Sequence, residues 1–263
     1  MRRHFFAFLI VTFASCLIQA QAVLIPTEVM ISSSGSGPLK VLTYEAKDAQ
    51  GTVVMLPGGS WNIGSIDAST GALTGTNFFI RTIPLFLGHA LNVVTMYRPD
   101  SLTTLRDAAL RSGQQHGQDV LALADYASRL NKPVWLLGTS LGAISAVNAA
   151  TLKPDAKISG LVISSAVANK TSVVKAGTLD FPLEKIVLPV YVSGHEKDEC
   201  ASTPPATTRE IAQRLTKSRK VELKLTQTGS NPTGNPCGPT HWHGYINAEE
   251  EVVKQMAEFI KQN

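Results

Sequence analysis

Short apolar runs recur along the chain, each followed by a glycine-rich or polar break and then by a segment with helical spacing. Val53-Val54-Met55-Leu56, Val134-Trp135-Leu136-Leu137, Leu161-Val162-Ile163 and Val190-Tyr191-Val192 lack polar alternation, the pattern of strands buried on both faces of a parallel sheet. Residues 91–96 supply another strand, residues 221–226 the last one, and residues 29–31 an edge strand. Residues 39–46 mix the two kinds of position, with Leu39, Val41 and Thr43 on one face and Lys40, Leu42 and Tyr44 on the other, as in a partly exposed strand.

Helical spacing fills the intervals. Residues 77–89 turn Phe78, Phe79, Ile83 and Phe86 inward, with Pro84 kinking or dividing the helix. Residues 115–130 set Val120, Leu123, Ala124, Ala127 and Leu130 on one stripe, and residues 207–218 form another helix. The small residues Ala143, Ala146, Ala149 and Ala150 predict a helix pressed closely on the sheet. The final helix starts from Asn247 with Glu250 three residues on, a cap signal, and turns Val252, Val253, Met256, Phe259 and Ile260 to one side. Strands alternating with helices predict an α/β domain with a mostly parallel sheet covered on both faces. Roughly two dozen residues separate the strands at 161–163 and 190–192, room for one short helix and not for a folded cap.

The first 22 residues stand outside this pattern. Arg2 and Arg3 precede an apolar run, and Ala20-Gln21-Ala22 offers small residues for cleavage, so residues 1–22 read as a secretory signal peptide and residues 23–263 as a single domain. The apolar run is short for an uncleaved anchor, and Phe13 is a poor start for lipoprotein processing at Cys16. The mature protein is expected in the periplasm or outside the cell, without stable membrane insertion. Loss of Arg2 and Arg3 changes 24 basic residues to 22 against 20 acidic ones, so the formal charge falls from +4 to +2. No basic run with interleaved aromatics remains, so nucleic acid is not an expected partner. Export also changes the cysteine reading: Cys16 leaves with the leader, and an even pair, Cys200 and Cys237, favours a disulfide in an oxidising compartment.

Chemistry enters at Gly138-Thr139-Ser140-Leu141-Gly142, between the strand opened by Pro133 and the alanine-rich helix. A turn so tight that only small residues fit beside it pushes the Ser140 hydroxyl out at the top of the sheet. Gly-x-Ser-x-Gly alone arises by chance in chains rich in both residues; a strand before it and a helix after it are harder to obtain together. A serine nucleophile needs a base and a group that orients the base. The loop after Val190-Tyr191-Val192 offers Asp198 as the acid, with Glu196 and Glu199 as alternatives; the loop before the last helix offers His243 as the base, ahead of His241. A tetrahedral oxyanion needs donors: Leu141 N–H for one, and Ser60 or Gly59 N–H from the Pro57-Gly58-Gly59-Ser60-Trp61 loop for the other, Ser60 preferred. His89 and His116 read as surface residues, His195 as a neighbour of the acid loop, Trp61 as pocket wall or core, and Arg81 and Arg98 as solvated or structural cations. His241, His243 and Cys237 match no zinc spacing, so no metal and no cofactor are expected.

With these residues in place the chain resembles the α/β-hydrolase superfamily from about Leu39 to the C-terminus. Trp135-Leu136-Leu137-Gly138-Thr139-Ser140, the Asp198-Glu199-Cys200 loop and the Cys237 loop running into His243-Gly244-Tyr245 look like those of poorly characterised exported bacterial hydrolases. The resemblance implies an α/β-hydrolase fold with little or no cap, Ser140, Asp198 and His243 as a catalytic triad, and support for a Cys200–Cys237 disulfide. The activity it implies is hydrolysis of a small carboxylic ester or thioester through an acyl-enzyme, and it leaves the substrate and oligomeric state open. The competing reading is a binding or scaffold protein on the same fold. Pro57 departs from the histidine that precedes the glycine pair in many lipases and esterases, so their loop geometry does not transfer.

Overall fold

The computed structural model describes residues 23–98, 107–154 and 156–263. The expected leader at 1–22, with Cys16, and the loop positions Pro99 and Asp100 lie outside the described residues. No described helix is long and apolar enough to cross a membrane.

Eight strands make one sheet: β1 (Thr27–Ser33), β2 (Gly37–Tyr44), β3 (Gly51–Leu56), β4 (Leu91–Met96), β5 (Val134–Thr139), β6 (Gly160–Ser164), β7 (Val190–His195) and β8 (Val221–Thr226). Their spatial order is β1-β2-β4-β3-β5-β6-β7-β8. The pairs β1–β2 and β2–β4 are antiparallel and every other pair is parallel. Strands β3 to β7 are buried at every position, which is why their sequences carry no alternation. β2 is more enclosed than its mixed pattern predicts. Only Lys40 is exposed between Leu39 and Tyr44, because the polar tips are satisfied inside: Thr43 meets the Tyr126 hydroxyl at 3.2 Å and the Tyr44 hydroxyl donates to Gly71 O at 2.9 Å.

The helices are α1 (Phe78–Arg81), α2 (Ile83–Gly88), α3 (Asp107–Leu110), α4 (Gln114–Ser128), α5 (Leu141–Leu152), α6 (Pro205–Arg214) and α7 (Glu249–Gln262). The expected helix at 77–89 divides at Thr82, whose hydroxyl turns back onto Phe78 O at 2.7 Å; Pro84 then falls in the first turn of α2, where its missing N–H removes no helical bond. Two 3₁₀ turns, Thr178–Asp180 and Leu183–Lys185, replace the single short helix expected between β6 and β7. The cap signal before α7 is also corrected. Asn247 has φ +58° and its side chain donates to Ser230 O at 2.8 Å, so the N-cap is Ala248 and Glu249, Glu250 and Glu251 supply the negative charge that the helix start favours.

Packing around β5 and α5 explains the glycine spacing. Every residue from Gly142 to Ala150 is buried. A Cβ on Gly142 would lie 1.9 Å from Leu56 O, and one on Gly138 would lie 2.3 Å from Gly142 O. Strand and helix approach so closely that neither position admits a side chain, which leaves Ser140 as the side chain the turn presents.

His116, expected at the surface, is buried at the start of α4: its Nε2 lies 2.8 Å from Ser145 Oγ and its ring meets the edge of Trp61 at 5.4 Å. Burial, then the nearby Arg111 charge, push its pKa down to about 3, so the ring is neutral. The unfolded chain takes up that proton near pH 6.5, so the stability this site contributes is complete above that pH and is lost as pH falls toward 3, at up to about 1.4 kcal/mol per pH unit. Urea midpoints should therefore fall between pH 7 and pH 4.5, and less steeply in a His116→Gln variant; equal slopes would remove His116 as the cause.

Candidate active site

Ser140 links β5 to α5 with φ +55° and ψ −122°, a conformation that costs a residue with a side chain on the order of 1 kcal/mol. The turn is pinned on both sides: Ser140 N–H donates to Ser164 O at 2.9 Å, and its carbonyl accepts from Ala143 at 3.1 Å and Val167 at 3.3 Å. Leu141 opens α5, where N–H groups have no partner within the helix. Ser140 lines a cavity of about 260 Å³ together with Gly58, Gly59, Ser60 and His243.

His243 stands on a 3₁₀ turn (Trp242–Gly244) and its Nδ1 lies 3.0 Å from Asp198 Oδ2. Asp198 is 7 % exposed and fully engaged: Oδ1 accepts from Cys200 N–H at 2.9 Å, and Oδ2 accepts from the Thr203 hydroxyl at 2.8 Å as well as facing His243. The Thr203 oxygen is itself 3.0 Å from His243 Nδ1, so it braces both side chains. Thr203 has no sequence signal, because only the turn closed by its N–H onto Cys200 O brings it back to Asp198. The alternatives lie elsewhere. Glu196 pairs with Arg209 at 2.9 Å on the surface, and Glu199 is exposed, 3.6 Å from His241 Nε2. His241 does not line the cavity.

The loop after β3 closes on Ser140 from the other side. A Cβ on Gly58 would lie 2.7 Å from Ser140 Cβ and 2.9 Å from Thr139 O, so glycine permits the contact. Gly59 follows at φ +57°, and the turn is closed by Trp61 N–H donating to Gly58 O at 3.3 Å. Trp61 is core and does not line the cavity: it is fully buried and its Nε1 donates to Met96 O at 3.0 Å. Asn62, Thr76, Asn77 and Phe78 complete one wall, and Cys237 and Pro239 the other.

Several contacts hold the histidine loop. Arg81 donates to Gly244 O at 2.5 Å and pairs with Glu249 at 2.8 Å, a structural role as expected, while Arg98 is exposed. Tyr245, at φ +57° and fully buried, reaches Ser164 Oγ at 2.8 Å and Ser193 Oγ at 3.2 Å across the ends of β6 and β7. Burial holds its phenol protonated by raising its pKa. His195 lies beneath the same loop, stacked on Trp242 at 4.6 Å; its Nε2–H donates to Thr228 O and its Nδ1 accepts from Lys197 N–H. Cys200 and Cys237 are joined by a disulfide that ties the Asp198 loop to the His243 loop. The metal reading lacks its ligands: Cys237 is oxidised, and among the described residues no cluster of His, Cys, Asp or Glu could hold an ion.

No protein-family model and no curated protein matches the chain. Solved structures do. Esterase Pf2001 of Pyrococcus furiosus superposes with a TM-score of 0.64 at 16% identity, over 91% of this chain and 93% of that one. The esterase of Pyrobaculum calidifontis gives 0.62 at 16% identity, over 92% and 87%. A Xanthomonas campestris α/β serine hydrolase described as lacking a lid gives 0.56 at 14% identity, over 89% and 94%. At this identity the likeness speaks to architecture, and the strand order, the turn at Ser140 and these superpositions agree: the chain has the α/β-hydrolase fold.

Proposed function

We propose that this protein is an exported serine hydrolase that cleaves small carboxylic esters or thioesters through an acyl-enzyme on Ser140. The observation that carries the reading is the convergence of Ser140, held at positive φ, and His243, bonded to buried Asp198, on one cavity. In this scheme Ser140 Oγ attacks the carbonyl carbon while His243 Nε2 takes its proton. Asp198 fixes the Nδ1–H tautomer and stabilises the imidazolium. Leu141 N–H and Ser60 N–H, or Gly59 N–H in its place, receive the oxyanion. Collapse expels the alcohol or thiol, which takes the proton from His243, and water repeats the sequence to release the acid. Export accords with a cysteine pair that is oxidised beside the site.

The cavity also bears on the substrate. About 260 Å³ is below the roughly 300–1,000 Å³ of pockets that hold drug-sized ligands, and Ser60, Asn62, Thr76 and Asn77 set polar groups among the apolar lining of Phe78 and Pro239. The enclosed volume favours short acyl groups over long alkyl chains. A fluorophosphonate probe should label the wild-type protein, and in a panel of chromogenic esters kcat/KM for acetyl should exceed that for decanoyl at least about tenfold. Failure to label would favour the binding-protein reading, and a preference for the long chain would overturn the size argument.

A further inference from the structure

Behind the Pro57–Trp61 turn lies a buried polar cluster that the acyl-transfer scheme does not use. Arg111, directly after α3, is fully buried. Its Nη1 donates to Pro57 O at 2.9 Å and to Ser145 Oγ at 3.3 Å, and its Nη2 donates to Gly59 O at 3.0 Å. The guanidinium lies over the Trp61 ring, 4.7 Å from its centre. The surroundings fix it from both ends: Asn148 donates to the carbonyls of Arg111 and Gly113 at 2.9 and 2.8 Å, and His116 packs against Trp61 and Ser145.

The choice of carbonyls has a geometric consequence. A trans peptide is planar, so its C=O and N–H point in opposite directions. Arg111 holds the oxygen of the Gly59–Ser60 peptide from the core side, so the Ser60 N–H of that same unit points away from Arg111, and Ser60 lines the cavity with Ser140. The Pro57–Gly58 unit is held likewise, which seats Gly58 against Ser140. The Gly58–Gly59 unit differs: its carbonyl accepts from Trp61 N–H at 3.3 Å. A cation on a carbonyl oxygen also draws electron density from the amide, and in a buried setting this makes its N–H a stronger donor.

We propose that Arg111 is the positioning residue of the oxyanion hole, aiming and polarising Ser60 N–H from behind, and that Ser60 rather than Gly59 is the second donor. The proposal rests on the serine-hydrolase reading and goes beyond it in assigning the donor and the group that sets it. It also explains how a loop with Pro57 ahead of the glycine pair keeps its shape: the Pro57 carbonyl is an anchor point.

The test compares wild-type protein with Arg111→Lys and Arg111→Met, each checked for folding by its thermal midpoint. Removing one oxyanion donor outright costs about 10²- to 10³-fold, so misaiming it should slow fluorophosphonate labelling and lower kcat for an acetyl ester by at least about tenfold, with KM changed less than about threefold. The acid limb of the pH–rate profile should stay in place, because His243 and Asp198 are untouched. The preference for an oxoester over the matching thionoester should shrink, since a thiolate-like intermediate draws less on hydrogen-bond donors. In the wild-type protein phosphonylated at Ser140, the Ser60 amide proton should move further downfield than that of Gly59, a readout independent of any variant. Wild-type rates in a folded Arg111 variant, an unchanged oxoester preference despite lost activity, or a larger shift at Gly59 would each overturn the proposal while the hydrolase reading stands. Wild-type protein that does not label overturns the hydrolase reading itself, and the role of Arg111 with it.

Discussion

Replacing Ser140 by alanine is expected to lower the turnover of a short-chain ester by about 10⁵- to 10⁶-fold and to abolish fluorophosphonate labelling. The effect is large because no other group in the cavity replaces the Ser140 hydroxyl as attacking atom. Stability should move by less than about 1 kcal/mol, since the backbone at φ +55° and its bonds to Ser164, Ala143 and Val167 do not involve the hydroxyl. Asp198→Asn should cost about 10⁴-fold. Its amide, bonded to Cys200 N–H through oxygen, would turn an N–H toward His243 and favour the wrong imidazole tautomer. Active-site titration with burst kinetics checks both, and a Ser140→Ala protein that retains turnover would end the acyl-enzyme scheme.

Removing the disulfide should have the next largest effect, and on two quantities at once. The bridge closes 37 residues, for which chain entropy predicts about 4 kcal/mol of stability. Cys200 N–H also holds Asp198 Oδ1, and Cys237 lines the cavity wall near His243. Opening the bridge thus frees the acid loop and the histidine loop from each other before the sheet is affected. In a Cys200→Ser, Cys237→Ser protein, or under reductant with the thiols counted, activity at 25 °C should drop while circular dichroism still reports a folded domain. Undiminished activity with both thiols free would separate the bridge from catalysis.

Much of this arrangement was legible from local pattern, and the exceptions have a common cause. β3, β5, β6 and β7 announce themselves as apolar runs because each is covered on both faces, and Gly138 and Gly142 mark the close approach of α5 to β5 and to the end of β3. Asp198 and His243 were readable as candidates through chain order and loop position. Thr203, Arg111 and His116 were not. Their roles depend on partners reached through the fold, such as Ser145 and Pro57 for Arg111, and nothing beside a buried arginine in the sequence distinguishes it from a solvated one. The cap before α7 failed for a related reason: the Asn247 side chain found a distant carbonyl, Ser230 O, in preference to the helix end.

The strand order has a temporal side. β3 lies between β4 and β5, so the strand that carries the Pro57 loop lacks one edge partner until residues 57–133 have passed. β5 in turn needs β6, and the His243 loop rests on the ends of β6 and β7 through Tyr245. Contacts this distant along the chain close slowly and late. A chain threading out from its N-terminus therefore exposes the apolar edge of β3 well before Ser140 emerges, and His243 follows only after all eight strands.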